Sequence, residues 1–335
     1  MLVTREYRSV KDARLALSGA FDRACTPSLF DRIDWFESLH AHCFPHEPVR
    51  ILQAMEGEHQ LWLFLRCTAP GRLSALANWY SFDWSPRFLG GPDGATQRRL
   101  IEVLAQYLLK DSARIDLYPV ADRAALLLEA FRRGGWFGVR RPMGGRHLLR
   151  LNGRCFEDYW ATRPGRLRTL ISRKSRAGRF TMNITDRLTD ALWRDYLAMH
   201  DRSWKQPEPS PLFLRDLAER ESAAGTLRLG FARIGEQPVA AQLWTVENGT
   251  ALIHKLAHDR AFDGASPGSL LSHAMFAAAI DGDRVDLIDY GTGDNGYKTD
   301  WMEDREVLHR LDFFNPRFAS TWLPAARTAI SALVG

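Results

Sequence analysis

Long hydrophobic runs are missing from this sequence. No apolar stretch approaches the roughly 20 residues that span a bilayer, and Met1 to Val10 hold no apolar core of a secretion signal. Neither a membrane span nor a signal peptide is expected. Cysteine is scarce: Cys25, Cys43, Cys67 and Cys155 are scattered, with no CxxC pair, and a reduced, cytoplasmic protein follows. Sharp catalytic signatures are absent as well. There is no GxSxG and no HExxH, and "GGPDG" at Gly90–Gly94 lacks the lysine and Ser/Thr of a phosphate loop. "HAHCFPHEP" gathers His40, His42, Cys43 and His46, but no second cluster completes a site and the spacing fits no standard metal pattern. No metal is expected.

What is present is a 335-residue chain with 45% hydrophobic residues and a net charge of +5. That length suits roughly two domains with a sizeable core. The basic excess is densest in "RPGRLRTLISRKSRAGR", Arg163 to Arg179. Such a block is either a solvated helix joining two domains or a surface for phosphates, nucleic acid or an anionic membrane. It has no interleaved aromatics, which argues against a stacking platform for single strands, so nucleic acid is not the expected partner.

The order of elements repeats. In the first half, "VRILQAM", "QLWLFLRC" and "LSALANWYSF" read as strands, and "GATQRRLIEVLAQYLLK" as a helix with Leu100, Ile101, Leu104 and Leu108 at helical spacing. "ARIDLYPV" follows as a strand, "ADRAALLLEAFRRGG" as a helix, and "WFGVRRPMGGRHLLRL" as a hairpin about Gly144–Gly145. In the second half, two helices precede three antiparallel strands with turns at Gly235–Glu236 and Asn248–Gly249. Then come the helix "SPGSLLSHAMFAAAI", the strand "VDLIDYG" and a last strand "VLHRLDFF". The tail carries Trp322, Leu323, Ala326, Ile330 and Leu333 beside Arg327 on a helix expected to dock on the last sheet, with a membrane surface as the other reading. An α/β (α+β) chain of two fused copies of one unit is the expected fold.

Two stretches carry the chemistry. In "DGASPGSLL", Ser266 suits the N-cap and Pro267 the first helical position, while Gly268 and Ser269 leave the first amides uncovered by bulk. A strand delivers the chain to this point, and a helix start so placed binds pyrophosphate well. In "IDYGTGDNGYKTDWM" a buried strand breaks into Gly291, Gly293 and Gly296 and presents Asp289, Asp294, Tyr297 and Lys298. On "ALIHKLAHD", His254 is a candidate base whose alternative is simple packing. Trp204 precedes a proline-rich loop and either covers an acceptor pocket or ends a helix in the core. Asp294 does chemistry or only holds a turn.

"HKLAHDRAFDGASPGSLL", "DLIDYGTGDNGYKTDWM", "FEDYWATRPGRLRTLISRKSR" and "LANWYSFDWSPRF" together resemble the CelD/BioF2-like acyltransferases of the GNAT superfamily, which are similar to FemAB-type transferases. The resemblance implies two tandem GNAT-like units, the first degenerate, each a mixed, mainly antiparallel sheet flanked by helices. The boundaries are placed at 1–152 and 153–335, with 163–179 as a basic linking helix. It implies acyl-CoA as co-substrate, held by Ser266, Gly268, Ser269 and Leu270 with Leu256 and Ala257 on the preceding strand. The usual Q/R-x-x-G-x-G/A loop is replaced by Ser-Pro-Gly. A lysine after the fifth strand lies near the reacting carbonyl in FemAB-type relatives, and Lys298 holds the matching position.

An amine attacking a thioester must lose a proton, and the oxyanion must be stabilised. Asp289 is the candidate base, Lys298 the oxyanion stabiliser, Tyr297 the acid for the thiolate. Trp204, Asp294 and Arg173 are candidates for the acceptor. No cysteine or serine is paired with an obvious base, so direct attack in a ternary complex is preferred to an acyl-enzyme. The expected activity is acyl transfer from CoA to an amino sugar or a nucleotide- or lipid-linked sugar. A lipid amine such as a sphingoid base, an aminoacyl-tRNA donor and a catalytically dead scaffold are the rival readings. The expected location is the cytoplasm, with peripheral association at the inner membrane face open.

Overall fold

The computed structural model describes residues 2–334, with side-chain burial through Ala332. The chain forms two compact units, 1–145 with 307–335 and 146–306.

In the first unit, β1 (Leu2–Tyr7), α1 (Val10–Leu17) and α2 (Ile33–Cys43) precede the hairpin of β2 (Val49–Glu56) and β3 (His59–Ala69). β4 (Arg72–Ala75) and β5 (Arg87–Leu89) both pair with β3. The long strand expected at "LSALANWYSF" therefore ends at Ala75, and Leu76 onward is irregular and buried except for the exposed Trp79. α3 (Gly94–Leu108) buries Leu100, Ile101, Leu104, Ala105 and Leu108, the stripe its spacing predicts. It crosses over to β6 (Arg114–Val120), which lies parallel to β4. α4 (Ala124–Arg133) follows, then β7 (Phe137–Arg150). No hairpin forms at Gly144–Gly145: β7 is one continuous strand of 14 residues, and only its last residues, from Arg146, belong to the second unit.

The second unit opens with α5 (Phe156–Ala161) and the basic α6 (Gly165–Arg176), then β8 (Thr181–Thr185), α7 (Asp190–Asp201) and α8 (Pro211–Ala223). β9 (Leu227–Ile234), β10 (Gln237–Glu247) and β11 (Thr250–His258) form an antiparallel meander. Its Asn248–Gly249 turn has both residues in the left-handed region, as a two-residue hairpin requires. α9 (Pro267–Ala277) crosses to β12 (Leu287–Thr292), which is parallel to β11 and antiparallel to the end of β7. The core gathers around Phe276 of α9, stacked on Tyr159 at 5.6 Å and tilted against Trp301 at 5.0 Å. The Tyr159 hydroxyl donates to the Trp301 carbonyl at 2.8 Å, so the buried phenol has a partner.

β13 (Asp304–Phe314) then returns to the first unit, where it pairs antiparallel with β6. The mixed, mainly antiparallel sheets flanked by helices are thus as expected, and each parallel pair is bridged by one helix. The final helix, α10 (Trp322–Val334), leaves Trp322, Leu323 and Ile330 more than half exposed instead of seating them on a sheet.

Candidate functional site

The site is built around a fork in the second unit. β11 and β12 pair only at Thr250–Leu252 with Leu287–Asp289. From Ile253 on they part, and among the described residues no strand pairs with that edge of β11. A strand that leaves its neighbour in this way makes room for an extended, amide-bearing ligand alongside it. Leu256 and Ala257 lie on this stretch. A slip in the pairing with β10 sharpens it: Ile253 faces Trp244 and Lys255 faces Leu243, leaving His254 as an extra residue. Such a bulge re-aims the side chains beyond it.

Pro267 takes the first position of α9 and Ser266 the N-cap. Ser266 does not cap as expected. It sits in the left-handed region at φ 57°, and no side-chain bond covers the helix start. The amides of Gly268 and Ser269 are thereby left for a ligand, at the positive end of the helix. Leu270 donates back to the Ser266 carbonyl at 3.2 Å and buries its side chain beneath. A Cβ on Gly268 would stand 3.1 Å from the His258 ring, so glycine keeps this approach clear. Lys174 of α6 donates to the Gly264 carbonyl and puts a cation beside the same loop. These residues fit a pyrophosphate-bearing donor. The corresponding start in the first unit does not: the Asp93 carboxylate accepts from the Thr96 amide at 2.7 Å and places a negative charge where a phosphate would go.

Across the fork lies the polar break after β12. Gly291 (φ 64°) and Gly293 (φ 102°) take left-handed conformations that turn the chain. Asp289 is fully buried. Arg146 donates to its Oδ2 through Nε at 2.7 Å and through the terminal nitrogen at 2.6 Å, and the Gly291 amide donates to Oδ1 at 2.8 Å. Burial raises its pKa against the pull of Arg146. Lys298, also buried, donates to the carbonyls of Tyr290 (3.0 Å), Gly291 (3.4 Å) and Thr292 (2.6 Å). Its three N–H donors are all engaged, and burial pulls its pKa down to about 8. The charge therefore organises the break and acts on the fork as a field. Tyr297 packs edge-on to Tyr290 at 5.9 Å, its hydroxyl pushed up in pKa by burial.

The other expected residues separate. His254 shares a 2.9 Å bond between Nε2 and the Thr245 hydroxyl, and burial lowers its pKa to about 3. A ring so hard to protonate is a poor base, and packing accounts for it. Asp294 forms a half-exposed ion pair with Arg305 at 2.8 and 2.9 Å. Trp204 is not a core residue: it stands 47% exposed on the loop after α7. Arg173 is exposed on α6.

Residues the motifs did not single out complete the fork. Ser203 bridges Asp259 antiparallel, and the Lys255 ammonium lies 2.8 Å from Glu208, so 203–208 runs along β11. The Glu208 carboxylate is nearly buried, with His200 3.7 Å away on its other side. His147, 3% exposed, faces Asp294 at 3.6 Å, its pKa lowered by burial and then by Lys298. Glu208 and Lys255 are 47 residues apart, and only the polar "WKQPEPS" beside Trp204 hinted at the loop.

Residues 162–299 match the family model of an acetyltransferase (GNAT) domain. No curated protein matches the sequence. Among solved structures, FemX superposes with a TM-score of 0.61 at 8% identity, over 96% of this chain and 100% of that one. The C-terminal domain assigned to a lysylphosphatidylglycerol synthetase of Agrobacterium fabrum gives 0.59 at 12%, over 97% of each chain. A tandem GNAT protein from the clavulanic acid biosynthesis pathway gives 0.53 at 13%, over 93% of this chain and 98% of that one. At these identities the likeness is one of fold, and that fold is the tandem GNAT-like one.

Proposed function

We propose that this chain, which carries a GNAT-type acetyltransferase domain, transfers an acyl group from acyl-CoA to an amine. The observation that supports this most is the fork itself: the stretch of β11 beyond its pairing with β12, beside an uncapped start of α9. The pyrophosphate of the donor would sit on the amides of Gly268 and Ser269, and its amide-bearing arm along Leu256 and Ala257. The acceptor nitrogen attacks the thioester carbonyl, the C–N bond forms, the C–S bond breaks, the thiolate takes a proton from Tyr297, and the proton released by the nitrogen restores the phenol. Asp289, locked to Arg146, is placed to orient the chain at the fork; Lys298 adds positive field where charge develops; Tyr297 is the nearby acid. Amino sugars, free or linked to a nucleotide or lipid, are the proposed acceptors.

A second reading replaces acyl-CoA by an aminoacyl-tRNA. The exposed arginines of α6, among them Arg168, Arg173 and Arg176, favour it, as does the Ser-Pro-Gly loop. One assay separates the two: thiol release from a panel of acyl-CoAs with amine acceptors, run beside aminoacyl transfer from charged tRNA. Thermal stabilisation by CoA is expected at high concentration. No stabilisation and no thiol release, with aminoacyl transfer present, would overturn the acyl-CoA reading.

A further inference from the structure

We propose that Lys205 binds a phosphate group carried by the acceptor, in the positive field of Lys298; the assignment rests on the acyltransfer reading. The course of the loop places it. With Ser203 against Asp259 and Glu208 against Lys255, Lys205 lies over the diverging part of β11. Its ammonium feels Lys255 and Lys298 as like charges and Glu208 as an opposite one, so these groups share one region of the fork.

The charges there do not balance. Asp289 is spent on Arg146, Asp294 on Arg305, and Glu208 on Lys255. Lys298 is wrapped by carbonyls and neutralised by none of them. Lys205 makes no hydrogen bond to a carboxylate among the described residues; its ammonium stands 5.6 Å from the Trp204 ring centroid. A half-buried cation left over near a second that only carbonyls hold is a place for an anion. The free donor is an ammonium, a point charge that suits phosphate, while the guanidinium forks that match a carboxylate are already filled by aspartates. The exposed Trp204 face beside it offers a wall for a ring attached to that phosphate.

The test uses the full chain saturated with CoA, so that the start of α9 is filled. Inorganic phosphate is titrated in at pH 8, and acylation of Lys205 by an N-hydroxysuccinimide acetate is followed by mass spectrometry. Phosphate is expected to slow labelling of Lys205 by about fivefold or more while Lys11 is unaffected. By calorimetry, Lys205→Met is expected to weaken phosphate binding by about tenfold, the loss of one charge-assisted bond, and Lys205→Arg to retain most of it. Unchanged labelling, or equal phosphate affinity in Lys205→Met, overturns the proposal. Protection by uridine diphosphate upholds it with a soluble acceptor, and protection by phosphatidylglycerol vesicles upholds it with a lipid one. The CoA-free arm separates the two ideas: if CoA does not bind but phosphate still protects Lys205, the donor reading fails and the anion subsite stands.

Discussion

Arg146 closes on Asp289 with two nitrogens at 2.6 and 2.7 Å, across 143 residues of sequence, at a carboxylate with no exposed surface. Taking one partner away leaves an uncompensated buried charge, which costs about 3–5 kcal/mol. Arg146→Ala is therefore expected to lower the denaturation midpoint sharply. Asp289→Asn keeps a polar group for the Gly291 amide and is expected to cost less. If Asp289→Asn is stable yet loses most of its turnover, the carboxylate serves the reaction; if it is stable and active, its role is to hold the fork.

Lys298 makes a different expectation, because its ammonium is bound to the carbonyls of residues 290, 291 and 292. Lys298→Met leaves the carbonyls of Tyr290 and Gly291 and the half-buried one of Thr292 without that donor, at about 1–3 kcal/mol for each buried group left unsatisfied. Amide exchange across Gly291–Thr299 is expected to accelerate, and kcat to fall with it. Lys298→Arg is not expected to rescue, since a planar fork does not reproduce the three-way geometry. Normal exchange with lost turnover would instead assign Lys298 a direct part in the chemistry.

The fork was legible in part from sequence, and the reason is local. Ser266, Pro267, Gly268, Ser269 and Leu270 are contiguous, and the strand–helix–strand order around them follows from periodicity. Asp289 and Lys298 are nine residues apart. Their partners were not legible. Arg146 reaches Asp289 only because β7 continues through Gly144 and Gly145 instead of turning, and two adjacent glycines read as a turn. β13 follows the second-half elements in sequence yet pairs with β6, a choice made by distant strand edges that no local pattern encodes. Lys205 and Glu208 looked like loop polarity because their meaning depends on β11 lying alongside.

Histidine burial contributes to the acid limb of stability. Burial depresses the pKa of His147, His200, His254, His273 and His309, with His254 lowered to about 3. In each case the unfolded chain binds a proton that the folded chain refuses. The stability is present above the unfolded value near 6.5 and is lost as pH falls from there toward the folded values. His254 alone contributes on the order of a few kcal/mol to this loss by pH 4. Urea midpoints measured from pH 7 to pH 4 are expected to fall, and to fall less steeply in His254→Gln. An unchanged slope in that variant would remove His254 from the account.

The tail bears on the lipid-acceptor reading. α10 exposes Trp322, Leu323 and Ile330. After Asp312 the chain has no acidic residue, while Arg317 and Arg327 remain. An apolar face with cations and no counter-charge suits an anionic bilayer surface. Flotation with phosphatidylglycerol vesicles is expected, with little binding to phosphatidylcholine. The double change Trp322→Ser and Ile330→Ser is expected to reduce the bound fraction by about tenfold or more. Equal flotation of the variant would show that α10 is not the contact.

The two helix starts provide the sharpest test of where the donor binds. α3 carries Asp93 as its cap, and α9 carries Ser266 in a left-handed conformation without a cap. A serine at φ 57° is strained by about 1 kcal/mol relative to glycine, so Ser266→Gly is expected to raise the melting temperature by a few degrees and leave CoA affinity intact. Gly268→Ala brings a methyl within 3.1 Å of the His258 ring and crowds the amides, so CoA is expected to bind several-fold more weakly at little cost in stability. Gly268→Asp places a carboxylate at the helix start, as Asp93 does in the first unit, and is expected to abolish CoA binding. Asp93→Gly removes the competing charge from α3, but β4 runs only one residue past its pairing with β6, so no new CoA site is expected there. If Gly268→Asp binds CoA as tightly as the parent protein, the donor does not sit on α9.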